Sequence, residues 1–185
     1  MPLSNFFLSG TWKPTVSSPE FGIWALIIGT LKITVIATIV AVPIGLGAAI
    51  YIYGYASDRS RRIIKPILEI LAGIPTIVFG FFALTFVTPI LRNLIPNLGE
   101  FNSISPGIVV GIMIVPMITS MSEDAMSSVP DKIREGAFGL GATKFEVATK
   151  VVLPAATSGV VASIVLGISR AIGDTMLVSV GPGSS

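Results

Sequence analysis

The chain has 185 residues, of which 52% are hydrophobic and 12% charged, with a net charge of +2 and neither cysteine nor histidine. A mean hydropathy of +0.87 exceeds that of ordinary soluble domains and points to a lipid surround, while so small a net charge provides no basic stripe for nucleic acid. The missing residue types exclude disulfide frameworks, thiolate or imidazole metal sites and imidazole-dependent catalytic triads.

Residues 1–20 carry Pro2, Pro14 and Pro19 and no basic segment leading into an apolar core, so they read as an extracytoplasmic leader rather than a signal peptide. Trp12 and Trp24 straddle the start of the apolar sequence, as interface aromatics do. The following region, residues 21–180, predicts an all-α membrane domain with four spans at about 31–52, 67–91, 104–121 and 154–180. The first apolar stretch, Phe21 to Tyr55, would measure about 52 Å as one helix against a hydrocarbon core of about 30 Å. Its first residues, Phe21 to Gly29, are therefore expected along or above the outer interface.

Pro43, Pro75 and Pro116 fall inside the first three spans and Pro154 opens the fourth, so kinks are expected near them. Small residues that let helices approach closely recur at Gly45, Gly47, Gly107, Gly111, Gly159 and Gly167.

Eight basic residues, Arg59, Arg61, Arg62, Lys65, Lys132, Arg134, Lys144 and Lys150, occupy the first and third connections. The positive-inside rule makes those connections cytoplasmic. Single-cysteine labelling in this cysteine-free chain is expected to find positions near Arg61 and Lys144 facing the cytoplasm and Asn97 facing outward. Labelling of position 97 from the cytoplasmic side alone contradicts that topology.

The third connection, 127–152, is too polar to span. Val129, Ile133, Ala137 and Leu140, then Phe145, Val147, Ala148 and Val151, have the spacing of two short amphipathic helices. Pro130 suits the first helical position, Asp131 complements the opening turn, and Gly139 and Gly141 bracket the bend. Such a pair beneath a membrane bundle forms a docking surface for another subunit. There is no G-x-x-x-x-G-K-[ST] loop for the chain to hydrolyse ATP itself.

Within this connection, Glu135, Gly136, Ala137, Gly141, Val151, Leu153 and Pro154 resemble the coupling-loop signature of ATP-binding-cassette importer permeases, in which Glu-Ala-Ala is followed by Gly and then Ile-x-Leu-Pro. The chain departs from that pattern at Gly136 and Val151. The run from Lys65 to Thr76, the phrase Gly80-Phe81-Phe82-Ala83-Leu84 and the segment Ser169 to Thr175 are similar to the phosphate-specific permeases of the family, in particular the larger-N-terminal of the two permease subunits.

The resemblance implies a type I importer bundle whose loop seats in a cytoplasmic ATP-binding subunit. It also implies a second permease subunit, an extracytoplasmic phosphate-binding protein and phosphate as the solute, with no cofactor or metal and no enzymatic activity. Permeases of this kind have a further N-terminal crossing and at least one crossing after the Arg170 segment, so the chain corresponds to part of such a bundle.

Arg170 and Asp174 lie four apart in the fourth span, where they read either as a structural ion pair or as a functional charge. The resemblance implies an anion path through Arg170, with Asp174 standing where Glu is usual. The alternatives in view are another oxyanion or small solute, and a structural or regulatory membrane protein that no longer transports.

Overall fold

The computed structural model describes residues 12–13, 20–21, 23–94 and 104–174. Most of the leader, Asn97 and the part of the fourth stretch beyond Asp174 lie outside the described residues. The fold is almost entirely helical. A two-residue antiparallel pair, β1 (Trp12–Lys13) and β2 (Glu20–Phe21), is the departure from the all-α expectation.

Helix α1 (Ile23–Tyr55) runs without interruption through Gly29 and Pro43. Residues from Ile23 to Gly29 thus belong to the same helix as the expected crossing. Gly29-Thr30 lies between apolar runs and no proline directly follows it, so helix propagation continues through it. Pro116 likewise lies inside an unbroken helix, α4 (Ile104–Ser127).

The second apolar stretch is divided. Helix α2 (Asp58–Ala72) starts well before the expected span, with Ser57 capping its first turn, and ends at Gly73. Helix α3 (Thr76–Leu94) begins after Pro75. Proline removes an N–H and pushes the residue before it out of the helical region, so Gly73-Ile74-Pro75 makes a true break. Within α3 a π turn spans Ala83–Val87, and the Ala83 carbonyl accepts the Thr88 amide one residue beyond the regular α-helical partner. The hydroxyls of Thr88 and Ser105 reach the same carbonyl at 3.0 and 3.3 Å, adding to that backbone bond.

The loop helices are α5 (Asp131–Gly139) and α6 (Lys144–Ala155), followed by α7 (Thr157–Gly173). Pro130 stands immediately before α5, as its cap residue. The axis bends by 78° between α6 and α7, just after Pro154. Helices α1, α3 and α4 are each long and apolar enough to cross a membrane, and the bent α6–α7 pair would make a fourth span if taken as one.

Two compact units emerge. One gathers the chain up to Ile39, Pro75–Gly111 and the residues from Ala171; the other gathers Val40–Ile74 and Ile112–Arg170. In the first, a Cβ on Gly107 would lie 2.7 Å from Ile36, so the glycine permits that approach. In the second, α4 and α7 run antiparallel: Ser122 bonds Ser163 at 2.7 Å, Gly159 faces Ala125 and Gly167 faces Ile118. Thr119 donates to the Gly45 carbonyl at 3.1 Å and brings α1 against the same helix.

Packing this close is the association mechanism available in lipid, where the hydrophobic effect does not separate helix from solvent. A Cβ at position 159 would stand 2.6 Å from the Ala125 Cβ, whereas one at Gly47 meets nothing within 4 Å. Gly159→Val is expected to destabilise the bundle by about 1–3 kcal/mol. Abundance of folded protein in detergent should fall for that variant and remain normal for Gly47→Ala.

Candidate functional site

The loop that carries α5 and the start of α6 is built on an apolar cluster in the second unit. Tyr53 from α1, Met126 and Val129 near the end of α4, Val147, Ala148 and Val152 from α6, and Ala156 and Val160 beyond it are all buried together. Ala137 of α5 and Leu153 pack against this cluster. Two residues of the expected docking motif are thus the inward anchors of the loop. Glu135 and Gly136 are exposed on α5, and Pro154 is exposed in the turn before the bend.

Between α5 and α6 the chain reverses at Leu140-Gly141. Gly141 has φ +86°, the left-handed region in which a Cβ is strained, and its amide donates to the Phe138 carbonyl at 2.9 Å. At Gly139, the other glycine of the bend, an added Cβ would meet nothing within 4 Å. Leu140 is 91% exposed, with Ile133, Phe138 and Phe145 also open around it. Four large apolar side chains on an otherwise polar loop form a surface suited to a protein partner.

Helix α6 opens with a capping box. The Glu146 amide donates to the Thr143 hydroxyl at 3.3 Å, and the Thr143 amide donates to the Glu146 carboxylate at 3.1 Å. That amide, with Lys150 and the Thr143 hydroxyl, holds the Glu146 carboxyl below its ordinary range. The cap's contribution is complete above the ordinary carboxylate pKa and is lost as pH falls through the depressed one.

A charged cluster joins α1, α2 and α4 at the same end. Glu123 is 1% exposed; Lys65 Nζ lies 2.8 Å and Arg61 Nε 3.5 Å from its carboxylate, and the Ser127 hydroxyl donates to it at 2.7 Å. Lys65 also pairs with Asp124. Arg61 Nη2 donates to the carbonyls of Ile52 and Tyr53, at 3.3 and 3.1 Å, so a cation caps the C-terminal turn of α1. Arg134 of α5 sits 5.6 Å above the Tyr53 ring, which ties the loop to that helix end.

Sequence reasoning used Arg61 and Lys65 as orientation markers, and Lys65 as the start of a run shared with the family, and did not single out Glu123. The available signal was an acidic pair closing an apolar span, opposite two cations four apart on one helix.

Arg170 lies about 20 Å along α7 from its start, at about 1.5 Å per residue. It is half-buried, and its Nη2 donates to the Ala72 carbonyl at 2.8 Å, at the end of α2. A carbonyl exposed by the break is thereby satisfied by a cation at a helix C-terminus. Helix α7 ends at Gly173, so Asp174 follows the helix instead of lying within it; its side chain is 9% exposed and belongs to the first unit. The described hydrogen bond of Arg170 goes to the backbone of α2.

Residues 41–181 match the family model of the binding-protein-dependent transport system inner membrane component. The chain is 37% identical over 175 residues to the probable ABC transporter permease protein YqgH of Bacillus subtilis, covering 94% of this chain and 56% of that protein. It is 36% identical over 194 residues to the phosphate transport system permease protein PstC of Haemophilus influenzae, covering 95% of this chain and 61% of the relative. A PstC 1 of Mycobacterium tuberculosis is 35% identical, with 97% of this chain and 63% of the relative covered. The chain therefore spans less than two thirds of the length of these relatives.

Among solved structures, inward-facing MetNI methionine ABC transporter matches with a TM-score of 0.72 at 23% identity, over 88% of this chain and 77% of that one, a likeness of fold. The apolar helices and a family match over most of the sequence agree: the chain belongs to the family of binding-protein-dependent transport system inner membrane components.

Proposed function

We propose that the chain acts as the permease subunit of an ATP-driven phosphate importer in the cell membrane. ATP is hydrolysed by separate cytoplasmic subunits, and a second permease and an extracytoplasmic binding protein complete the path. The observation that carries this reading is Arg170, a guanidinium at a helix break within an apolar bundle. Of its five N–H donors one is committed to Ala72, and the planar fork matches the oxygens of a phosphate. Asp174 tunes the anion's hold by countering that charge.

Support for the solute comes from the relatives, several of which are named phosphate transport system permeases. Support for the ATP-binding partner comes from the loop, where Glu135 is exposed beside the Gly141 turn and Leu140 projects outward. Such a surface receives an ATPase subunit, and Glu135 offers a carboxylate to a cation of that partner. The transporter assembled in proteoliposomes is expected to accumulate labelled phosphate only with ATP and the binding protein present. Accumulation that continues without nucleotide contradicts the proposal.

A further inference from the structure

We infer that Glu123 is a positioning residue for Arg170, acting through α2; the inference rests on the assignment of Arg170 to the anion path. Helix α2 is fastened at two places. In its first half, at Arg61 and at its midpoint Lys65, two cations meet the carboxylate of Glu123 at 3.5 and 2.8 Å. At its last residue, the Ala72 carbonyl accepts the Arg170 guanidinium at 2.8 Å.

No residue of α2 is fully buried, so polar anchors, more than an apolar core, decide where this helix lies. Helix α2 is continuous from Lys65 through Pro66 to Ala72, so the two fastenings lie on one helix, about two turns apart. Displacing Lys65 from Glu123 therefore carries the Ala72 carbonyl with it and changes the competition between that carbonyl and an anion for Arg170.

The anchor is also placed to receive the loop's motion. Arg61 holds the Ile52 and Tyr53 carbonyls, Tyr53 lies in the apolar cluster of the loop, and Arg134 of α5 covers its ring. Glu123 thus sits where the loop's core, the end of α1 and the start of α2 meet. With the anchor engaged, Arg170 stays on the Ala72 carbonyl and the anion is held weakly. With it released, Arg170 turns to the anion.

Spatial adjacency does not establish coupling, whereas non-additivity between the two sites does. The test is a double-mutant cycle of Glu123→Gln with Arg170→Lys, read as the concentration dependence of labelled inorganic phosphate uptake per assembled transporter in proteoliposomes. Glu123→Gln alone is expected to lower the apparent KM by about fivefold, the lower end of typical coupling, and to slow maximal uptake. In the Arg170→Lys background the same change should leave KM where Arg170→Lys put it.

Lys65→Gln repeats the cycle while leaving Glu123 on Arg61 and Ser127, and it decides the matter if Glu123→Gln does not assemble. An unchanged or raised KM, or effects that add in the Arg170→Lys background, overturns the positioning role. Normal phosphate kinetics in Arg170→Lys alone instead removes the anion contact itself, and the positioning role with it.

Discussion

Arg170→Lys lowers initial phosphate uptake by about tenfold per assembled transporter, and Arg170→Ala by about a hundredfold, if hydrogen bonds to a charged group are worth about 1.5–3 kcal/mol. The lysine variant keeps the charge and loses the planar fork that matches the oxygens of a phosphate. The alanine variant also leaves the Ala72 carbonyl without its guanidinium donor. Asp174→Asn removes a counter-charge at nearly constant size, so the anion is held longer and release slows. Assembled complex and initial uptake are measured side by side. Replacing Arg170 and Asp174 together by apolar residues separates transport from packing: near-normal uptake per complex in that double variant would make the two charges a replaceable structural feature.

Gly141→Val should uncouple ATP hydrolysis from substrate without preventing membrane insertion. The position is exposed and a Cβ there meets nothing within 4 Å, so side-chain clash is not the cause. The cause is φ +86°, which costs a branched residue about 1–2 kcal/mol. The turn then relaxes toward ordinary dihedrals and moves Leu140 and the start of α6. Substrate-stimulated ATP turnover is expected to fall about tenfold, the equivalent of about 1.4 kcal/mol, at normal membrane abundance. Gly139→Ala, with equal space, serves as the comparison and should behave normally. Normal stimulation in Gly141→Val would remove the special role of the turn.

The membrane class and the loop were legible because they are written in composition and local spacing. Gly141 marks a turn by its own backbone chemistry and the structure places one there, while Asp131 opens α5 and Pro130 stands one position earlier than expected, as the cap. Proline was a less uniform guide. Pro43 and Pro116 sit within unbroken helices, whereas Pro75, preceded by Gly73-Ile74, divides a stretch that hydropathy reads as continuous. At that break the Ala72 carbonyl accepts the guanidinium of Arg170, a partner distant in sequence.

Helix α2 was the least legible element. Its charges resemble loop charges in a hydropathy reading, yet Arg61 and Lys65 turn inward to the buried Glu123. That pairing joins segments about sixty residues apart, which no local periodicity can reveal. The same holds for the position of Asp174 beyond the end of α7.

The central claim, that this permease conducts phosphate past Arg170, is tested most directly by competition. Initial uptake of labelled phosphate by the assembled transporter is measured against excess unlabelled phosphate, sulfate, molybdate and an uncharged solute. Strong inhibition by phosphate alone is the expected result. Preferential transport of the uncharged solute, or uptake indifferent to unlabelled phosphate, would contradict it.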